Sequence, residues 1–174
     1  MSAQVSVQEG NGNPVTWTTI ENARFCTADT YNPGTNYKIP IPASGINYSF
    51  WKSHCLAISG VYTEISNVRW YTDGTGFGTG VEVYVCPSGL TEDQYSQATG
   101  IEGKTGDEMV ANHPHVLAAS GAFNYTSTNP LLVDAGPISG TAITNHIVLQ
   151  MAVNSSASPG QLSAETFTFV YDEV

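Results

Sequence analysis

Two histidines, His113 and His115, flank Pro114, and in an extended chain residues two apart point the same way, as a pair of metal ligands must. No third or fourth ligand stands nearby in the sequence, so a metal would need copies supplied across a symmetry axis; solvated loop histidines are the plainer reading. His54 and Cys55 are adjacent, which places them on opposite faces of a strand and argues against a Cys/His nucleophile pair. The run "DGTGFGTG" (73–80) invites a phosphate cradle, since successive amides can hold anions, but no Gly-Lys-Ser/Thr and no helix follows it. A mobile hairpin loop accounts for it better. Asp73 in that run is one carboxylate where Ca²⁺ asks for about six to eight oxygens. Ser139 in "GPISG" lacks the G-x-S-x-G spacing of a nucleophile elbow. The 15 carboxylates make chance pairs inevitable without revealing glycosidase geometry. Tyr48, Phe50, Trp51, Trp70 and Tyr71 could stack on sugars, although in a strand-rich chain such residues belong to a core. No catalytic, cofactor-binding or metal-binding residue is expected from these patterns.

The elements that would position any site read as strands. "HIVLQMAV" places Ile147, Leu149, Met151 and Val153 on one face, the period-two mark of a strand. "TFTFVY" does the same with Phe167, Phe169 and Tyr171, and the Pro159-Gly160 pair between the two suits a type II turn. These two strands are expected to pair, with the last one in the core. "NVRWYTD" and "VEVYVC" flank the glycine-rich run as a long hairpin or a sheet-to-sheet connection, with Val81, Val83 and Val85 in a row. Pro40 and Pro42 bar a central strand, and a better run extends from about Tyr48 to Ser59. "LTEDQYSQATG" predicts the one helix, near 91–99, with Thr91 as N-cap, Gln94 completing a capping box, and Leu90 with Tyr95 as a staple. Residues 99–115 read as a protruding loop. Residues 1–20 are either an N-terminal arm that orders on a neighbour or a first strand, and 21–174 a single domain. The expected fold is all-β: an antiparallel β-sandwich of jelly-roll or immunoglobulin-like type.

Composition agrees with that fold and narrows the partners. Only 11% of the 174 residues are charged, against about 25% in ordinary soluble proteins. Fifteen acidic and 5 basic side chains leave a formal charge of −10, which repels nucleic acid and anionic membranes. The start, "MSAQVSVQEG", has neither a basic nor an apolar signal region, and no apolar run approaches the ~20 residues of a membrane span. Cys26, Cys55 and Cys86 are an odd number without C-x-x-C spacing and read as small buried hydrophobes. The sequons at Asn47, Asn124 and Asn154 carry little weight in a chain this rich in Asn, Ser and Thr.

"NYSFWKSHCLAIS", "NVRWYTDG" and "VLQMAVNSSASPGQLSAETFTFVYDEV", in that order, resemble a family of short β-rich virion proteins of tailed bacteriophages and related uncultured viruses. The resemblance spans about Phe25 to Val174 and is strongest in the last 28 residues. It implies a non-enzymatic structural protein, such as an auxiliary or decoration protein on the outside of the capsid or a head or tail accessory component. It further implies assembly in the host cytoplasm, the major capsid protein or another virion protein as partner, and a symmetric homo-oligomer, with a trimer favoured. A carbohydrate-binding or adhesin-like module is the alternative; burial of Trp51 and Trp70 would count against it.

Overall fold

The structure, a computed structural model, describes residues 2–174. Its strands are β1 (Ala3–Asn11), β2 (Thr16–Thr19), β3 (Ile46–Tyr48), β4 (Lys52–Gly60), β5 (Ile65–Thr72), β6 (Val81–Val85), β7 (Gly100–Ile101), β8 (Thr105–Gly106), β9 (Ser120–Gly121), β10 (Leu131–Asp134), β11 (Ala142–Ile143), β12 (Ile147–Asn154) and β13 (Phe167–Glu173). All pairings are antiparallel. The larger sheet runs β2-β1-β4-β12-β3-β8-β7, with β6 on the far side of β12, β9 beyond β6, and β11 on β4. The smaller sheet is β10-β5-β13. The chain is an all-β sandwich, as its alternation and turn residues predict.

Register decides what faces inward. Val5 pairs with Ile58, Val7 with Leu56 and Glu9 with His54 across β1 and β4. Ile147 opposes His54, and Leu149, Met151 and Val153 oppose Val85, Val83 and Val81. These side chains share one pleat face, and nearly all of the apolar ones belong to a single core that also holds Ile65, Val68, Trp70, Leu131 and Val133 of the smaller sheet. The opposite face of β12 is also covered, because the segment after β6 folds over it. Val148 N–H donates to Cys86 Sγ at 3.1 Å, and Gln150 reaches both the Met109 amide and the Ser49 and Asp107 carbonyls at 2.8 Å. Residues Ile147–Val153 are therefore buried on both faces, and Gln150 is the polar residue that satisfies the backbone crossing above it.

Several expectations change. The predicted helix at 91–99 is only a 3-10 turn, Glu92–Gln94. The Gln94 side chain does accept from Thr91 N–H at 3.0 Å. Beyond the turn the chain is drawn out: Ser96 carbonyl accepts from Trp51 Nε1 at 2.9 Å and Gln97 bonds Asp29, so tertiary contacts override the local cap. Tyr95 lies edge-on to Trp17, with ring centroids 5.7 Å apart. The one α-helix among the described residues, α1 (Met109–Asn112), lies in the segment read as a protruding loop; Met109 and His113 there are buried.

The strands β12 and β13 do not pair; they belong to different sheets, and the Pro159-Gly160 bend carries the chain between them. β13 is an edge strand whose Phe167, Phe169 and Tyr171 are half-buried, a shallower role than a core strand. The glycine-rich run joins β5 to β6 as a sheet-to-sheet connection. Residues 3–19 are the hairpin β1-β2, and β1 pairs along β4 as the first strand of the larger sheet.

Candidate functional site

The two long strands β1 and β4 alternate apolar residues along their inward face until the last positions, where charge replaces them. Val5 and Val7 give way to Glu9 and Asn11; Ile58 and Leu56 give way to His54 and Lys52. Because the ladder is antiparallel, the charged ends meet. Lys52 Nζ lies 2.9 Å from Glu9 Oε1, and both side chains are wholly buried. His54 Nε2 lies 3.2 Å from the other oxygen, Oε2, with His54 3% exposed. Nζ also donates to the Thr30 carbonyl at 2.6 Å. Asn11 Nδ2 donates to Glu9 Oε1 at 3.1 Å and to Asp29 Oδ1 at 2.9 Å, while Asp29 Oδ2 accepts from Gly12 N–H and Gln97.

A carboxylate taken out of water costs several kcal/mol unless it is paired and hydrogen-bonded. Burial pushes the Glu9 carboxyl upward, but the His54 hydrogen bond and the Lys52 charge outweigh it and hold Glu9 below the usual carboxylate range. Glu9 is thus an anion with three donor groups arrayed around two oxygens. A histidine and a carboxylate at hydrogen-bond distance are also the parts of a general-base dyad. Here both are buried, Glu9 wholly and His54 to 3% exposure, and the Thr30 carbonyl lies on the neighbouring Lys52 ammonium.

Sequence reasoning weighed His54 only against Cys55. Cys55 does lie on the opposite face, fully buried, its thiol pushed up to about 12 first by burial and then by the Glu92 charge. Cys26 and Cys86 are likewise buried and free. Glu9, Asn11 and Lys52 were missed. Their signal was an alternating apolar row ending in opposite charges on two strands, legible only once the two rows are known to be neighbours.

The histidine pair stays close, with ring centroids 6.2 Å apart, but its two members differ in burial. His113 caps the C-terminus of α1, buried against Trp51 with ring centroids 5.4 Å apart, and its Nδ1 accepts from the His115 amide at 3.2 Å. His115 is exposed. Among the described residues no group of three His, Cys, Asp or Glu side chains is placed to hold a metal ion. His146 packs against both Trp17 and Tyr95, with centroids 5.6 and 6.3 Å away, and neither ring nitrogen has a partner. Gly10 lets Trp17 lie across β1, since a Cβ there would stand 2.8 Å from the indole. Burial and the neighbouring histidines push His146 down to about 4, and burial with His115 does the same to His113. In the glycine-rich run, Asp73 Oδ1 accepts from the Thr75 amide at 2.9 Å, a local turn contact.

Of the sugar-stacking candidates, Phe50, Trp51 and Trp70 are buried, while Tyr48 and Tyr71 are half-buried. An open concavity of about 980 Å³ is lined by Phe25, Ile39, Phe77 and Leu162 with Arg24 and Lys38 among them. Both cations are exposed, and neither belongs to an ion pair among the described residues. In a chain carrying five basic residues, two at one apolar groove is a local reversal of an acidic exterior.

No helix among the described residues is long and apolar enough to cross a membrane. No protein-family model, curated protein or solved structure matches the chain.

Proposed function

We propose that the chain is a non-enzymatic virion structural protein, an auxiliary or decoration protein bound to the outside of a tailed-phage capsid as a symmetric oligomer. The observation that supports this reading most is the division of its chemistry. The groups with reactive potential are closed inside the sandwich, and the surface offers an apolar groove with Arg24 and Lys38 in an otherwise acidic shell. Such a surface suits docking repeated over a lattice, where many modest contacts add up to avidity. The exposed Tyr37 and Ile41 extend the groove's apolar lining. An acidic exterior repels encapsidated nucleic acid and favours the outer face of a particle.

The carbohydrate-binding alternative loses its best stacking platform, because Trp51 and Trp70 are 3% and 0% exposed. The test is to detect the polypeptide in purified particles and locate it by labelled imaging, with the mass of the isolated chain measured in solution. Copies on the outer capsid surface, with a trimeric free protein, are expected. Absence from particles, or specific glycan binding by the isolated chain, would overturn the reading.

A further inference from the structure

The β1/β4 ladder runs in unbroken register from Ala3↔Gly60 to Gly10↔Ser53, so the next pair in line is Asn11 opposite Lys52. Directly opposed residues of an antiparallel pair have Cβ atoms only ~4.5–5.5 Å apart. Glu9, two residues before Asn11 on the same face, places one oxygen, Oε1, between the two side chains: it accepts from Lys52 Nζ at 2.9 Å and from Asn11 Nδ2 at 3.1 Å. The amine and the carboxamide are therefore no further apart than two hydrogen bonds laid end to end. Lys52 is entirely buried, and Asn11 Oδ1 is buried without any partner.

We propose that Lys52 and Asn11 form an intramolecular isopeptide bond, with Glu9 as the proton-transfer group. A wholly buried amine and carboxylate, with a half-buried carboxamide that the carboxylate also touches, are the components of amide exchange. Glu9 takes a proton from Nζ, and the free amine attacks Asn11 Cγ. The new Nζ–Cγ bond forms and the Cγ–Nδ2 bond breaks; the two protons that Nζ sheds, one before attack and one after, pass through Glu9 to Nδ2, which leaves as ammonium and restores the carboxylate. No oxidant, metal or co-substrate is needed. Rotating the Asn11 carboxamide exchanges Oδ1 and Nδ2, and protonated Glu9 then becomes the donor that the unpartnered Oδ1 lacks. His54 on Oε2 fixes the carboxylate from its other side, which makes it a positioning residue. The low-dielectric enclosure excludes the water that would compete by hydrolysis. The product ties the first strand of the sandwich to β4 covalently, a device suited to any protein under mechanical or thermal load, whether or not it sits on a capsid.

Intact mass spectrometry of the full chain, after prolonged incubation in the folded state, tests this directly. The expected mass is that of the sequence less one ammonia. Trypsin should fail to cut after Lys52, yielding residues 1–24 joined to 39–69 as a branched peptide. Asn11 is followed by Gly12, so a cyclic imide at that site would also lose ammonia; it would leave a linear peptide and normal cleavage after Lys52, and would overturn the proposal. So would an unaltered intact mass. The Lys52→Met and Glu9→Gln variants should both retain the full sequence mass. A branched peptide persisting in Glu9→Gln would remove Glu9 from the step. The wild-type digest decides the bond itself even where a variant does not fold.

Discussion

Replacing His146 by phenylalanine should make the domain both more stable and less sensitive to acid. In the fold the imidazole packs against Trp17 and Tyr95, fully buried, with both nitrogens unpartnered. Its folded value is pushed from 6.5 down to about 4, first by burial and then by the charges of His113 and His115. The sign follows from which state binds protons. Between those values the unfolded chain takes up a proton that the folded chain refuses, so stability falls as pH falls from 6.5 toward 4. Each unit is worth about 1.4 kcal/mol, so His146 alone withdraws about 2.5 kcal/mol between roughly pH 7.5 and pH 4.5. Against a total of about 5–15 kcal/mol that is a large share. Phenylalanine keeps the ring and removes two orphaned polar atoms, a gain of about 1–3 kcal/mol at neutral pH. Urea unfolding of wild type and His146→Phe at a series of pH values reads both effects. The variant's curve should start higher and fall less steeply, with His113 supplying the remaining slope in this window and Glu9 acting below it. Parallel curves would refute the reasoning, because they would mean that His146 protonates as readily inside the fold as outside it.

Trp70→Ala removes a fully buried indole that meets Phe167 edge-on at 5.4 Å and should cost about 3–5 kcal/mol, measured by chemical denaturation. Gly89→Ala would drive a Cβ into the Val133 carbonyl; the backbone must move, and a loss of about 1–3 kcal/mol in the same assay is expected. Cys55 and Cys86, buried and pushed up to about 12 and about 11 mainly by burial, should resist thiol reagents in the native state near neutral pH and react at once in denaturant. Rapid native labelling of either would show that the core opens locally. Asp172→Asn removes the charge that pairs with Arg69 at a half-exposed site, where Asn67 Nδ2 also donates to the carboxylate, and should change stability by less than about 1 kcal/mol.

Local chemistry by itself determined that this chain is a β-sandwich. Val81, Val83 and Val85, or Ile147 through Val153, carry a period of two that no helix satisfies, and glycine, proline and asparagine clusters end each run. The free, buried state of the three cysteines was legible for the same reason, since each lies in a strand-like or apolar context. What alternation does not carry is partnership. That β12 pairs with β4 and β6 and not with β13, that β5 and β6 lie in different sheets, and that Ser96 and Gln97 are pulled straight by Trp51 and Asp29 depend on contacts between distant segments. The same holds for the buried charges. No pattern in the sequence links Glu9 to Lys52, and 43 positions separate them. Only the antiparallel register of β1 against β4 brings both to one enclosed corner with Asn11 and His54, because a shift of a single residue would turn every one of those side chains to the other face.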